Sequence, residues 1–296
     1  MESITIQKID FVFQASLHCL EFYWTATSRS GGTVYVRQTY VYCPGKSMVS
    51  QIQSNRRRAP FLMKLVIFDL DGTLTQTNEV DDLCFPRAFA ENLGVADLNT
   101  DWSSYTHSTD TVVFQEAFAK RFGRSPTAQE AQAFEQRFVE SLAELYASRP
   151  EMFAEVRGAT ALLRQLEQDS QWAIAIATGC WKRSAEFKIN AAELPASGLP
   201  RASAEDGPSR EAIVESAISR AMAYYEQEKF ANIVLVGDRI WDAKTAQTLR
   251  LPFIGVATAE RAELLRQAGA NFMVENYLNA ARFLEYLDQA RVPLIA

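Results

Sequence analysis

The chain has 296 residues, of which 48% are hydrophobic, with 13 Gly and 10 Pro, so we expect a packed globular protein of one large or two modest domains. Its net charge of -6 argues against an extended nucleic-acid-binding surface, which would normally be basic. The four cysteines form no CxxC pair and no dense framework, so neither a zinc site nor a disulfide scaffold is indicated. No apolar run approaches the roughly 20 residues of a membrane span, so we expect no membrane insertion and, by default, a cytoplasmic protein.

Residues 1–62, which we call the leader, differ in charge from the rest of the chain. The leader has seven Lys or Arg and three acidic residues, for a net charge of +4, whereas the remainder has 23 basic and 33 acidic residues, for -10. Such a break usually marks a boundary between domains. Short aromatic and β-branched runs predict strands in the leader at 11–13, 22–24, 33–36 and 39–42. Two interpretations stay open: a disordered extension, or a segment upstream of a start at Met63.

From Lys64 onward, the chain alternates between buried strands and helices. Continuous apolar runs predict strands at 65–68, 173–177, 233–236 and 253–256. Apolar residues at helical spacing predict helices at 158–168, 209–228, 241–249 and 260–267. Strands without polar alternation are typical of a sheet covered on both faces. We therefore predict an α/β fold with a doubly wound, parallel, Rossmann-like sheet.

A helical segment at 79–155 separates the first two predicted strands. It has apolar residues at helical spacing in 112–122 and 131–146. Because this segment is too long for a single crossover connection, we interpret it as an inserted α-helical domain, and we call it the cap. The core domain would then consist of residues 63–78 and 156–296.

Polar clusters follow the first three predicted strands of the core. Asp69 and Asp71 follow the first strand, Thr178 follows the second, and Asp238 follows the third, with Asp242 one helical turn later. In an open parallel sheet, ligands bind beyond the carboxyl ends of the strands, so these side chains should meet at one edge. Several carboxylates at one edge would repel one another without a cation. Carboxylate oxygens in this number suit Mg²⁺.

The ordered set of motifs resembles the haloacid-dehalogenase-like superfamily of hydrolases. The matching residues span 64–275 and are Asp69-Leu70-Asp71-Gly72-Thr73, Thr178, Arg210 and Gly237-Asp238 with Asp242. The resemblance implies that Asp69 is the nucleophile and that Asp71 is the general acid and base. It also implies that Thr178 donates a hydrogen bond to the phosphoryl group. Asp69, Asp238 and Asp242, with the backbone carbonyl of Asp71, would face the magnesium ion.

The basic residue that this family places beside the phosphate has several candidates here. Arg210 begins the predicted helix at 209–228, close to the position that the resemblance implies. An arginine binds phosphate oxygens with a fork of donors. Lys182, Arg183 and Lys188, which come soon after the second strand, are its rivals.

Residues in and beside the cap are candidates for setting specificity. One run is 78–82, directly after the first motif, and another is 101–110, which is dense in hydrogen-bonding side chains. An equally open alternative is a solvated loop in which Asp110 is the N-cap of the following helix. We take as candidate substrate-binding residues Thr73, Gly179, Lys182, Tyr105, His107 and Asp110.

The presence of Asp71 discriminates among the reactions of the superfamily. Dehalogenases lack an acid at this position, and phosphonatases replace it and add a cap lysine. The resemblance therefore favours a magnesium-dependent phosphatase that hydrolyses a small phosphorylated metabolite through a phospho-aspartate. A phosphomutase of the same superfamily and a catalytically silent binding protein are the alternatives.

Overall fold

A computed structural model describes residues 62–294, apart from the side chains of residues 259 and 260, and, in the preceding part of the chain, the backbone of five strands. The chain divides into two compact units, Met1–Phe61 and Leu62–Ala296. None of the helices among the described residues has the length and apolarity that crossing a bilayer requires.

The first unit contains an antiparallel sheet. Its strands are β1 (Thr5–Lys8), β2 (Gln14–Ser16), β3 (Cys19–Thr27), β4 (Thr33–Val41) and β5 (Val49–Asn55). The order is β1-β3-β4-β5, and β2 pairs with β3. The predicted strand at 22–24 lies within β3, and β4 covers 33–36 and most of 39–42, whereas the predicted strand at 11–13 lies outside the described residues.

The second unit contains a six-stranded parallel sheet. Its strands are β6 (Lys64–Phe68), β7 (Trp172–Ala177), β8 (Arg201–Ala202), β9 (Ile233–Gly237), β10 (Phe253–Val256) and β11 (Phe272–Val274). They are arranged in the order β11-β10-β9-β6-β7-β8, so β6 is central and pairs with both β7 and β9. This sheet confirms the predicted α/β fold. The short edge strands β8 and β11 were not predicted.

Helices cover both faces of this sheet. They are α4 (Ala159–Gln168), α5 (Lys182–Ala191), α6 (Arg210–Tyr224), α7 (Ile240–Leu249), α8 (Ala259–Gln267) and α9 (Ala280–Gln289). Along β6, Val66 and Phe68 belong to one hydrophobic core, while Leu65 and Ile67 belong to another. Burial on both faces explains why the strand is apolar at every position.

The cap segment contains three helices between β6 and β7: α1 (Asn78–Leu93), α2 (Asp110–Phe122) and α3 (Ala128–Ser148). They share a third hydrophobic core that is rich in aromatic side chains, in which the rings of Phe114 and Phe134 stack at 4.5 Å. Because Leu62–Ala296 forms a single compact unit, the division into core and cap domains stays a prediction.

Asp110 is not the N-cap of α2, contrary to the alternative in which it lay in a solvated loop and capped this helix. The N-cap is Thr109, whose hydroxyl accepts a hydrogen bond from the amide of Val112, and Asp110 is already the first helical residue. A threonine in extended conformation is a common N-cap because its oxygen satisfies one of the unpaired amides of the first turn. The carboxylate of Asp110 is therefore available for other contacts.

We expect the leader to be dispensable for folding and activity. It contains none of the ordered motifs, and nearly all of it falls in the first compact unit, whereas the motifs all lie in the second. A chain beginning at Met63 should therefore unfold at the same temperature as the full chain and have the same activity. Thermal unfolding of the two chains, each with Mg²⁺, checks this. A drop of about 10 °C would amount to a few kcal/mol for a domain of this size and would show that the leader contributes to stability.

Candidate active site

Three buried carboxylates lie close together at the carboxyl edge of the parallel sheet. Asp69 directly follows β6, Asp238 directly follows β9, and Asp242 lies in the first turn of α7. Each contributes a carboxylate oxygen to a group whose atoms all lie within 4.8 Å of one another. All three residues are at most 5% exposed. The structure thus brings together three of the residues that the motif order singled out.

A tight turn after β6 packs directly against this group. Gly72 has a φ of +74°, and a Cβ atom at this position would lie 2.2 Å from Oδ2 of Asp238 and 2.1 Å from Nδ2 of Asn78. Only glycine adopts this conformation at no steric cost and leaves room for the neighbouring carboxylate. Asn78, at the start of α1, donates a hydrogen bond to the same Asp238 oxygen at 2.8 Å. Gly72 therefore allows the loop after β6 to pack closely against Asp238.

Arg210 is the basic residue that the structure places beside Asp69. It begins α6, its Nη1 lies 3.3 Å from Oδ1 of Asp69, and its Nη2 lies 3.1 Å from Oδ1 of Asp242. Among the rivals, Lys182 has an exposed side chain and Arg183 donates to Gln136 in the cap. The guanidinium holds both carboxylates with separate nitrogens, as its planar fork allows.

Arginines neutralise the three carboxylates only in part, since the pKa of each carboxylate stays raised. Burial raises the pKa of Asp69 from its ordinary value of 3.8 to about 7, although Arg210 opposes the shift. Burial also raises the pKa of Asp238 to about 7 and that of Asp242 to about 6. Oδ1 of Asp238 is buried and has no hydrogen-bond partner among the described residues. A divalent cation fits such a group, because it would neutralise the charges and occupy the unpaired oxygen.

Cation binding at this group should therefore depend on pH. Without a cation, the folded protein binds protons on these carboxylates more tightly than the unfolded chain does. Their contribution to the free energy of unfolding is therefore fully present below about pH 4 and is lost as the pH rises through about 7. A cation must displace the bound protons at low pH. We expect Mg²⁺ to raise the unfolding temperature more at about pH 8 than at about pH 5.5. An equal rise in unfolding temperature at both pH values would contradict cation binding by these three carboxylates. In the control variant, Asp238→Asn, Mg²⁺ should change the unfolding temperature little at either pH.

Asp71 belongs to a second polar group, separate from the first. Nζ of Lys188, on α5, lies 2.7 Å from Oδ1 of Asp71 and 2.7 Å from the carboxylate of Asp81 on α1. Sγ of Cys180 lies 2.9 Å from Oδ2 of Asp71, and Thr77 donates to Oδ1. Burial raises the pKa of Asp71, but Lys188 and these hydrogen bonds lower it below its ordinary value. Its carboxylate therefore does not join the cluster formed by Asp69.

A cavity of about 80 Å³ is lined by residues of both groups. Its lining includes Asp69, Asp71, Asp110, Thr178, Gly179, Arg210 and Asp238. Trp102, Ser108, Arg210, Asp238, Arg239 and Trp241 also line a larger cleft of about 800 Å³. This arrangement can hold a small anionic group next to Asp69 and a larger attached group in the cleft.

The candidate substrate-binding residues are divided between these spaces. Tyr105 and His107 line the larger cleft, and the side chains of Thr73 and Lys182 line neither space. Gly179 accepts a hydrogen bond from the amide of Asp110 at 2.8 Å, which ties the loop after β7 to the start of α2. The carboxylate of Asp110 accepts from the amide of Trp181 at 2.9 Å and from Ser184 at 3.3 Å.

Several residues of the site had no clear signal in the sequence. Cys180 lines the cavity and contacts Asp71, but a single cysteine next to Gly179 indicates no particular role. Asp81 was singled out only as part of the run 78–82. Trp181, in the run after Thr178, lines neither space: it is buried in the aromatic core of the cap, where its ring stacks at 5.9 Å on Phe85.

Comparisons with known proteins bear on the family and the fold of this chain. Residues 63–249 match the model of the haloacid dehalogenase-like hydrolase family. The fold is similar to a hydrolase from Pseudomonas syringae, with 21% identity, a TM-score of 0.56, and coverage of 76% of this chain and 97% of that one. CbbY from Rhodobacter sphaeroides in complex with phosphate has 19% identity and a TM-score of 0.54, with 74% and 96% covered. No curated protein matches the sequence.

A third solved structure has the same fold. It comes from Haemophilus somnus and is described as a predicted phosphoglycolate phosphatase, with 16% identity, a TM-score of 0.50, and coverage of 75% of this chain and 98% of that one. Identities this low establish the shared fold alone. The family match is more specific, because it spans more than half of the chain and includes Asp69, Thr178, Arg210, Asp238 and Asp242. The chain therefore belongs to the haloacid dehalogenase-like hydrolases.

Proposed function

We propose that this protein is a magnesium-dependent phosphatase that hydrolyses a small phosphate monoester through a phosphorylated Asp69. The observation that carries the proposal is the shared cavity, in which Asp69 and Asp71 lie together beside Arg210 and Asp238. This combination offers a nucleophile, an acid and base, and a guanidinium that binds phosphate oxygens in one small space.

Each residue has a distinct task in the proposed reaction. Arg210 and the hydroxyl of Thr178 would orient the phosphoryl group, and a carboxylate oxygen of Asp69 would attack the phosphorus atom. The bond from phosphorus to the leaving oxygen breaks as Asp71 donates a proton to that oxygen. Asp71 then takes a proton from water, which attacks the phosphorus and releases phosphate and the free Asp69 carboxylate.

Asp69, Asp238 and Asp242 would hold the magnesium ion. When bound, Mg²⁺ supplies positive charge that offsets the repulsion between the substrate phosphate and the carboxylate that attacks it. The support for this assignment is the chemistry of the donors: three buried carboxylates within 4.8 Å, with one unpaired oxygen on Asp238. Arg210 contacts Asp69 and Asp242. Arg239 and Arg261 contact Oδ2 of Asp238 at 3.2 and 3.4 Å, which leaves Oδ1 of Asp238 for the cation.

A screen of phosphorylated metabolites tests the proposal. Release of inorganic phosphate that requires Mg²⁺ and stops with a chelator is the expected result. Movement of the phosphoryl group to another hydroxyl of the same substrate, without release, would identify a phosphomutase. If neither reaction occurs with any substrate while phosphorylated compounds still bind, the protein is a silent binding protein and the proposal is wrong.

The larger cleft provides a prediction about specificity. Tyr105 and His107 line it on the cap side, close to Trp102, so they would contact the leaving group rather than the phosphate. Tyr105→Ala and His107→Ala should therefore change the ranking of substrates by kcat/KM. Tyr224→Ala, at an exposed tyrosine on α6, is the matched control. If both cleft variants keep the wild-type ranking within about a factor of two, these side chains do not set specificity.

A further inference from the structure

A fully buried lysine lies behind the proposed acid and base. Lys188 is 0% exposed and does not line the cavity, so it has no contact with a bound substrate. Its Nζ lies 2.7 Å from Asp71, 2.7 Å from Asp81 and 3.3 Å from Sγ of Cys180. The proposed reaction assigns it no task. Burying an ammonium is costly unless it is paired, so this arrangement needs an explanation.

We propose that Lys188 is a positioning residue, which holds the Asp71 carboxylate in the orientation that proton transfer to the leaving group requires. This inference rests on the proposed function. It concerns how Asp71 is oriented in that reaction. Lys188 thus has a different task from Arg210, which contacts Asp69 and Asp242.

The contacts of Asp71 support a positioning role. Oδ1 accepts hydrogen bonds from Lys188 and Thr77, and Oδ2 accepts one from Sγ of Cys180 at 2.9 Å. These hydrogen bonds fix the orientation of both carboxylate oxygens. Of the three donors, only Lys188 is charged. Charge-assisted hydrogen bonds are shorter and stronger than neutral ones, so Lys188 makes the largest contribution to the orientation of the carboxylate. The same ammonium lowers the pKa of Asp71, so its loss would favour the protonated acid. A slower reaction without Lys188 would therefore report lost orientation and not lost protonation of Asp71.

The second partner of Lys188 extends its influence to the cap. Asp81 lies on α1 in the cap, whereas Lys188 lies on α5, after β7. The ammonium of Lys188, on α5, therefore contacts both the loop after β6 and the cap helix α1. Without it, the carboxylates of Asp71 and Asp81 would face each other with no cation between them, and like charges repel strongly in a buried site. Asp71 would then turn away from Asp81 and lose its orientation.

The test is the dependence of the rate on the leaving group in Lys188→Met, which keeps the side-chain length and removes the charge. The substrates are an aryl phosphate, whose phenolate leaves easily, and an alkyl phosphate that the wild-type enzyme hydrolyses, whose alkoxide needs a proton. General acid catalysis contributes about 10²- to 10⁴-fold, so kcat for the alkyl ester should fall about 10²-fold or more. The fall for the aryl ester should be much smaller, which raises the aryl-to-alkyl ratio.

A purely structural role for Lys188 would lower both rates by the same factor. An unchanged or lower aryl-to-alkyl ratio in Lys188→Met would thus overturn the inference. Ser184→Ala is the matched control, because Ser184 is buried on the same helix and its hydroxyl contacts Asp110 rather than Asp71. Its aryl-to-alkyl ratio should equal that of the wild type.

If Lys188→Met does not fold, as judged by circular dichroism, Asp81→Asn is tested instead. This variant removes the second anchor of Lys188 and should raise the aryl-to-alkyl ratio in the same direction but by less. An unchanged ratio would overturn the inference. Failure of the proposed function is distinguishable, since the wild-type enzyme would then release no phosphate from either ester.

Discussion

Asp69→Asn is expected to lower phosphate release by at least about 10⁴-fold, the scale seen when an enzyme loses its nucleophile. The amide has no anionic oxygen to attack phosphorus, so no phosphorylated intermediate forms. The fold should persist, because the amide has nearly the same shape and the oxygen of its side chain can still accept from Arg210. Phosphate release measured with the best substrate of the screen, together with the unfolding temperature, checks both expectations.

The matched control for Asp69→Asn is the same substitution at an exposed position. Asp97 lies in the cap and is exposed, and Asp97→Asn should retain wild-type activity. Near-normal phosphate release by Asp69→Asn would exclude a phosphorylated Asp69 and the mechanism with it. A variant that is inactive because it has unfolded would be recognised by its circular dichroism and lowered unfolding temperature.

Asp71→Asn is expected to separate the two halves of the reaction. With an alkyl ester, kcat should fall by about 10²- to 10⁴-fold because the amide cannot donate a proton to the leaving oxygen. With an aryl ester the first half should still proceed slowly, since the phenolate leaves without a proton. The second half should then stall, because the amide cannot take a proton from water. The phosphorylated protein should accumulate and be detected by intact mass spectrometry as one added phosphoryl group.

The site of that phosphoryl group can be established directly. In the double variant Asp69→Asn/Asp71→Asn, the added mass should disappear, and peptide mapping of the single variant should place it on Asp69. Alkyl-ester hydrolysis by Asp71→Asn at the wild-type rate would show that another group supplies the proton. The groups to substitute in that event are Cys180 and Thr77, which both donate hydrogen bonds to the Asp71 carboxylate.

The sequence by itself determined the family and the parallel sheet. Continuous apolar runs identify strands buried on both faces, and β6, β7, β9 and β10 all lie where such runs occur. Because parallel strands expose their carboxyl ends at one edge, the polar residues after them must meet there whatever the details of packing. The proximity of Asp69, Asp238 and Asp242 follows from this rule. The edge strands β8 and β11 were not predicted, because a run of two or three residues is too short to show a hydrophobic pattern.

Only the tertiary structure decided how the carboxylates are divided. Asp69 and Asp71 are two residues apart, yet the first joins Asp238 and Asp242 while the second pairs with Lys188. The course of the loop between β6 and α1 sends the two side chains to different partners, and motif spacing contains no information about side-chain direction. The choice of Arg210 over Lys188 as the neighbour of Asp69 likewise depended on where α5 and α6 begin in space.

The helix α5 shows the same limit most clearly. Its buried residues are Ser184, Ala185, Lys188 and Ile189, so two of its four inward positions are polar. No helix was predicted at 182–191, although its hydrophobic periodicity is no weaker than that of the predicted helices α6, α7 and α8. The polar residues face inward because the carboxylates of Asp71, Asp81 and Asp110 are their partners. Those partners come from distant parts of the chain, so only the folded structure reveals why this helix buries a lysine.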